Sequence, residues 1–255
     1  MKSIDLNADL GESFGAWRMG DDAGVMPWIT SANIACGFHA GDSTTMRRTV
    51  ALCIEHGVAI GAHPSLPDLQ GFGRREMQIS ADEVYAQTLY QIGALHALTK
   101  ACGGRLHHVK PHGALYNMAA RDPEFARAIA AAVRDFDSAL ILVGLAGSAL
   151  IDAGRDADLP VLGEGFCDRR YRGDGTLVPR GEAGAVFDDP DAAVAQALSI
   201  ALAGEVIASD GSRVRLQADT LCLHGDRAGA PAFAKALRQA LEHAGLNLDA
   251  MERPA

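Results

Sequence analysis

The chain has 255 residues, 48% of them hydrophobic and 22% charged, with a formal net charge of −9 and a pI near 5.4. That length fits one large α/β domain or two small ones, with ample apolar material for a core. The acidic balance, with only four lysines (Lys2, Lys100, Lys110 and Lys235), argues against a nucleic-acid or anionic-membrane surface, because both need clustered cations.

Strand and helix patterns alternate along the chain. A first strand is predicted at 3–7, within an N-terminus that turns acidic within five residues and has no apolar signal core. A second, at 31–36, runs into "GFHAGDS". From Ser43 a stripe of Met46, Thr49, Val50, Cys53 and Ile54 marks a helix ending before Gly57. A third strand follows at 58–62. Ser80 with Glu83 forms a capping box for a helix to about Cys102, stopped by Gly103 and Gly104. Strands are predicted at 106–110, 139–145, 160–164 and 219–224. Asp122-Pro123 and Asp189-Pro190 each place a cap before a proline at the first helical position. Asp210-Gly211 centres a hairpin over 205–216, and Phe233, Leu237, Ala240, Leu241 and Ala244 mark a last helix. About seven βα units with no linker imply a parallel sheet. Length and unit number favour one single-domain (β/α) barrel over residues 1–255, rather than an open doubly wound sheet. Either way, ligands gather where strands end and helices begin.

Six of the seven predicted strands finish in ionisable side chains beside glycine or proline; the fifth, "ILVGLAGSA", does not. The ends supply Asp5, Asn7, Asp9 and Glu12; Asn33 and His39; His63; Lys110, His112, Tyr116 and Asn117; Glu164, Asp168, Arg169 and Arg170; and His224 with Asp226. Four histidines converging on one rim are hard to explain as packing. Histidines with carboxylates suit general acid–base work near neutral pH, or a metal with an open position. Lys110 offers a fixed cation where negative charge develops, and Arg169, Arg170, Arg172 and Arg180 can grip a carboxylate or phosphate. The expected catalytic set is Asp9, His39, His63, Lys110, His112 and Glu164. The expected substrate-binding set is Asn7, Glu12, Asn33, Asp168, Arg169, Arg180 and His224.

Other titratable residues read as structural. His56, His96 and His243 fall in helix patterns, and His107 opens a strand. Asp42 and Asp226 read as helix caps, Arg121, Arg127 and Arg134 as a solvated helix face, and Tyr85 and Tyr90 as packing. The five cysteines are odd in number, with no CxxC pair or zinc-finger spacing. They read as reduced thiols of a cytoplasmic protein, with no closed structural metal site. No GxxxxGK[ST], complete GxGxxG or GxSxG motif is present.

Six blocks, "DLNADLGESFG", "ANIACGFHAGD", "IGAHPSLPDLQGFGRR", "VKPHGALYN", "EGFCDRRYRGDGTLVPR" and "LHGD", resemble the LamB/YcsF family in order and spacing. Residues 183–216 carry no family block, and Ala8 and Ser13 stand where many relatives have Cys and Gly. The resemblance implies a barrel related to sugar deacetylases. It further implies ATP-dependent opening of 5-oxo-L-proline to L-glutamate, with ATP as co-substrate and two partner subunits, B and C. The absent phosphate loop fits partners that supply much of the ATP site. Two alternatives stay open: a stand-alone metal-dependent carbohydrate or amide hydrolase, and a non-catalytic substrate-binding subunit. Whether a metal binds also stays open.

Overall fold

A computed structural model describes residues 2–225 and 229–250. The elements follow in chain order as β1 (Ser3–Leu10), α1 (Asp22–Val25), β2 (Ser31–Ala35), α2 (Ser43–His56), β3 (Ala59–His63), α3 (Ala81–Ala101), β4 (Leu106–Val109), α4 (Gly113–Arg121), α5 (Pro123–Asp137), β5 (Ile141–Leu145), α6 (Ala149–Asp156), β6 (Val161–Phe166), α7 (Pro190–Leu198), β7 (Glu205–Ile207), β8 (Arg213–Arg215), β9 (Thr220–His224), α8 (Ala230–His243) and β10 (Asn247–Leu248).

Strands β1, β2, β3, β4, β5, β6 and β9 pair in parallel, in that order, and β9 pairs back onto β1 to close a barrel. The expected barrel of about seven strands is therefore the observed one. Strand β10 adds to the outer start of β1, through Ser3 and Ile4. Strands β7 and β8 form the expected antiparallel hairpin.

The predicted punctuation works as chemistry requires. The Asp42 carboxylate accepts from the Thr44 and Thr45 amides at 2.9 and 3.0 Å, and the left-handed Gly57 closes α2. Ser80 and Glu83 cap α3 reciprocally, and Asp122 and Asp189 cap α5 and α7 ahead of their prolines. The sequence patterns miss the four-residue α1, the short-striped α4 and α6, and two-residue β10. Helix α4 starts at once after His112, with Gly113 at φ 58°, so the motif "KPHGALYN" is a strand-to-helix corner. Asp226, read as a cap, lies outside the described residues; the N-cap position of α8 is Gly229.

Burial follows the two periods of the elements. Ile4, Leu6, Ala8 and Leu10 of β1 belong to one large apolar cluster with Val50, Ile92, Leu95, Ile129, Val133, Leu237 and Leu241 of the helices. The intervening Asp5, Asn7 and Asp9 are buried but polar. The main core is thus a ring between strands and helices, and the lumen of the barrel is largely polar. Ile141, Val143 and Leu162 form a small separate apolar cluster.

Candidate active site

Register stacks the lumen in layers. Asp5 lies opposite Thr220, Asn7 opposite Ser31 and Cys222, and Asp9 opposite Asn33 and His224. In the lowest layer Asp5 accepts hydroxyl hydrogen bonds from Thr30 and Ser31, both at 2.6 Å, and from Thr220. Burial pushes the Asp5 carboxyl above its ordinary range despite these donors. Above it, Asn7 Nδ2 donates to Glu164 Oε1 at 3.0 Å and to Thr220 at 2.7 Å. Asn33 Nδ2 donates to Asn7 Oδ1 at 2.7 Å and Asp9 Oδ1 at 2.9 Å, while Asn33 Oδ1 lies 2.9 Å from His108 Nε2. His108 fits there because β3 carries Gly61 opposite it: a Cβ at Gly61 would fall 2.0 Å from that nitrogen.

Lys110 occupies the centre. Its Nζ lies 2.7 Å from Glu164 Oε1 and 3.0 Å from Asp9 Oδ1, and donates to Asn7 Oδ1 and Cys222 Sγ, each at 3.2 Å. Burial disfavours the ammonium, but Asp9, Cys222 and Glu164 outweigh it and hold Lys110 well above the ordinary lysine range. Burial likewise opposes the charge on Asp9, and His63 and Lys110 overcome it, so the carboxyl sits well below its usual value. Tyr116, from α4, donates to Glu164 Oε2 at 2.8 Å. Such a group keeps its charges only because every member is paired.

Beside it lies a histidine cluster. His39 and His112 stack, with ring centroids 3.8 Å apart and planes 6° from parallel; His63 meets both edge-on. His63 Nδ1 is 2.7 Å from the Lys110 carbonyl, His112 Nε2 is 2.9 Å from the Phe72 carbonyl, and His112 Nδ1 is 2.9 Å from His63 Nε2. Glu12 Oε1 stands 3.7 Å from His39 Nε2 and 3.9 Å from His112 Nδ1. Burial, reinforced by the neighbouring rings, lowers His39 and His112 well below the ordinary histidine range. Ligating atoms of Glu12, His39, His63 and His112 all lie within 4.8 Å of one another, as do those of Asp9, Cys222 and His224.

A cavity of about 730 Å³ opens above these groups, lined by Asp9, Glu12, His63, Lys110, His112 and His224 on the barrel side. The long segment after β6 folds across the rim, tied by bridges from Arg169 to Val186 and from Tyr171 to Leu177. It brings Arg169, Arg172 and Arg180 to the cavity, where Arg74 and Arg121 join them. Arg169 donates to the Val178 carbonyl, and its Nε is buried with no hydrogen-bond partner among the described residues. Burial with Arg180 nearby lowers Arg169 to about 10, still cationic at neutral pH. The mouth is cationic in an acidic protein, which suits a small anion.

The barrel brings the thirteen expected site residues into its lumen and its cavity end, at different depths. Asp9, Glu12, His63, Lys110, His112, Arg169, Arg180 and His224 face the cavity. Asn7, Asn33, His39, Glu164 and Asp168 lie beneath or behind them. Asp168 takes the His224 Nδ1 contact at 2.9 Å and so orients that ring; His224 outweighs burial to lower the Asp168 carboxyl. Arg170 stacks over Phe187, 4.5 Å from its ring centre, away from the cavity. Arg121, expected on a solvated face, reaches the cavity mouth and pairs with Glu76 at 2.6 Å, because α4 runs along the rim. His96 is structural as expected, packed on Phe136. Tyr116, named among the strand-end residues but in neither expected set, belongs to the site through Glu164; Cys222, Arg74 and His108 carry no strand-end signal in the sequence. The signal for His108 is the adjacent pair "HH", with one ring turned inward by strand alternation.

The chain matches the LamB/YcsF family over residues 4–255. It is 58% identical to the A subunit of 5-oxoprolinase from Bordetella pertussis, over 97% of this chain and 98% of that one. It is also 58% identical to the corresponding A subunit from Methylococcus capsulatus, over 98% and 96% of the two chains. The crystal structure of a lactam utilization protein from Thermus thermophilus superposes with a TM-score of 0.91 at 52% identity, covering 98% of this chain and all of that one. With the rim blocks in place on a closed barrel and the match running from β1 to the C-terminus, the protein belongs to the LamB/YcsF family.

Proposed function

We propose that this protein is the A subunit of an ATP-dependent 5-oxoprolinase, working in the cytoplasm with subunits B and C to convert 5-oxo-L-proline to L-glutamate. The observation that carries the reading is the buried Lys110 ammonium, locked between Asp9 and Glu164 beneath an arginine-rimmed cavity. Names borne by full-length relatives at 54–58% identity support it.

A five-membered lactam resists hydrolysis because amide resonance lowers the electrophilicity of its carbon and makes its nitrogen a poor leaving group. Phosphoryl transfer from ATP to the lactam oxygen removes that resonance and releases ADP. One water then adds to the carbon, the C–N bond breaks with a proton passing to the amine, and a second water releases phosphate from the acyl phosphate. A buried ammonium such as Lys110 suits the negative charge that develops on that oxygen and the charge it carries after phosphorylation. The unpaired Arg169 Nε and neighbouring Arg180 suit the substrate carboxylate, which a planar guanidinium grips well. Asp9 is the candidate for moving the proton of the attacking water, beside the His63 and His112 rings that border the cavity. The lack of a recognisable phosphate loop in the sequence fits a nucleotide site carried largely by the partners.

The test is glutamate release from 5-oxoproline and ATP by this chain alone and with the partners added. The expected result is little or no turnover alone and robust turnover in the complex. Robust ATP-dependent turnover by the isolated chain would overturn the division of labour, and no turnover in the reconstituted complex would overturn the reading itself.

A further inference from the structure

We propose that His39, His63, His112 and Glu12 form a binding site for one divalent transition-metal cation of the zinc type. A carbonyl oxygen can only accept, so His63 Nδ1 and His112 Nε2, at 2.7 and 2.9 Å from the Lys110 and Phe72 carbonyls, each carry hydrogen. When both rings are neutral the other nitrogens, His63 Nε2 and His112 Nδ1, are bare lone pairs, and the Asp9 carboxylate 3.4 Å from His63 Nε2 adds negative charge that favours a cation there. The two nitrogens face each other at 2.9 Å. Two bare lone pairs at that distance repel, and a positive charge between or beside them removes the conflict.

His39 decides between a shared proton and a metal. It is 1% exposed, and among the described residues neither ring nitrogen has a hydrogen-bond partner. A proton shared by His63 and His112 leaves those two nitrogens unsatisfied; a cation beside the three rings takes one of them as a ligand. Glu12 adds the neutralising charge, at 3.7 and 3.9 Å from His39 and His112, too far for hydrogen bonds. Contacts from His63 and His112 to backbone carbonyls are those by which metal-bound imidazoles are oriented.

The backbone is shaped for the cluster. Gly73, at φ 65°, passes so close that a Cβ there would lie 2.8 Å from His39 Cβ and 2.9 Å from His112 Cδ2. Three imidazoles and one carboxylate suit zinc, cobalt, nickel or iron, whereas magnesium and calcium call for oxygen donors. The second donor group, Asp9 with Cys222 and His224, is a poorer host. Its carboxylate and thiol already contact the Lys110 ammonium at 3.0 and 3.2 Å, which repels a cation. His63, His112 and Glu12 border the cavity, so a cation held by them would meet solvent or substrate there. Sequence spacing could not reveal this group, because its members come from four separate segments. The inference concerns the ion alone and stands whichever lactam, if any, is cleaved.

The experiment strips the full chain with chelator, verifies removal by elemental analysis, and titrates Zn²⁺ calorimetrically and Co²⁺ by visible absorption. The expected result is saturation at one ion per chain, with the ligand-field bands of nitrogen–oxygen coordinated cobalt. His63→Ala and His112→Ala should weaken binding by about 100-fold or more, at or beyond the upper end of outer-shell changes. Glu12→Gln, which preserves shape, covers the case in which a histidine variant fails to fold, and should weaken binding clearly. Cys222→Ser should bind as wild type. The proposal is overturned if the stripped wild type shows no saturable uptake of either ion. It is equally overturned if the folded histidine and Glu12→Gln variants bind normally, or if Cys222→Ser loses binding together with a thiolate-to-cobalt band. A downfield N–H–N proton resonance of the stripped protein that persists unchanged in excess Zn²⁺ would assign the short contact to a proton and overturn it as well.

Discussion

Lys110 Nζ and Glu164 Oε1 lie 2.7 Å apart, with side chains 2% and 0% exposed. An ion pair this deep is held by mutual need, since either charge alone would be stranded in a low-dielectric interior. Lys110→Met would leave Asp9 and Glu164 facing each other. The expected outcome is a loss of about 3–5 kcal/mol of folding stability and a fall in turnover of at least about 100-fold. Lys110→Arg keeps the charge in a wider, planar group and should retain part of the stability but little turnover. Denaturant unfolding alongside glutamate release from the three-subunit complex checks both. Near-wild-type turnover by Lys110→Met would remove Lys110 from the chemistry.

The histidine cluster should behave as both machinery and core. Read as rim residues, His39, His63 and His112 would cost activity when replaced and leave melting unchanged. All three are in fact buried, and His63 and His112 serve backbone carbonyls. Each alanine variant should therefore lose about 1–3 kcal/mol of stability as well as about 100-fold in turnover. Thermal melting beside the activity assay separates the two; unchanged melting temperatures would restore the simpler rim picture.

Gly73→Ala tests the close approach of backbone to rings. The new Cβ would meet Ser65 Oγ at 2.3 Å as well as His39 and His112, on a backbone at φ 65°. Gly184→Ala, at φ 74° with open space around it, carries the backbone strain without the collision. Gly184→Ala should cost about 1 kcal/mol and spare activity, whereas Gly73→Ala should cost more and abolish turnover. Equal effects from the two would show that the ring stack tolerates displacement.

Acid sensitivity should begin earlier than carboxylates alone would cause. Burial, with His107 beside it, holds His108 well below the ordinary histidine value. Below about pH 6.5 the unfolded chain takes up a proton that the folded chain refuses, so stability present above that pH is lost as pH falls toward the folded value. The slope is up to about 1.4 kcal/mol per pH unit for each such group. Asp9 and Asp168, lowered in the fold, begin to add only near pH 4 and below. Denaturation midpoints of chelator-treated protein from pH 8 to 5 should therefore decline, and His108→Gln should decline less steeply. Parallel curves would place the proton elsewhere.

The barrel could be read from the sequence because its cues are local. Prolines after Asp122 and Asp189, the Ser80–Glu83 box and Gly57 each act within one turn of chain. Strand ends likewise announce Asp9, His63 and Lys110. The depth at which each residue sits depends on barrel closure, which brings Glu164 to Lys110 and His112 onto His39 across long stretches of sequence. Arg121 is harder for a related reason: α4 turns one face to the cavity, and nothing in its composition says which.

Strand β1 sorts its residues by parity. Odd positions 5, 7 and 9 carry the polar column of the lumen, and even positions 4, 6, 8 and 10 carry the apolar ring. Durability and chemistry are thus written in alternate letters of a single eight-residue word, with little overlap between them. The outer letters can drift among apolar side chains of similar size without disturbing the reaction. A frame slip of one residue would exchange the two texts and ruin both.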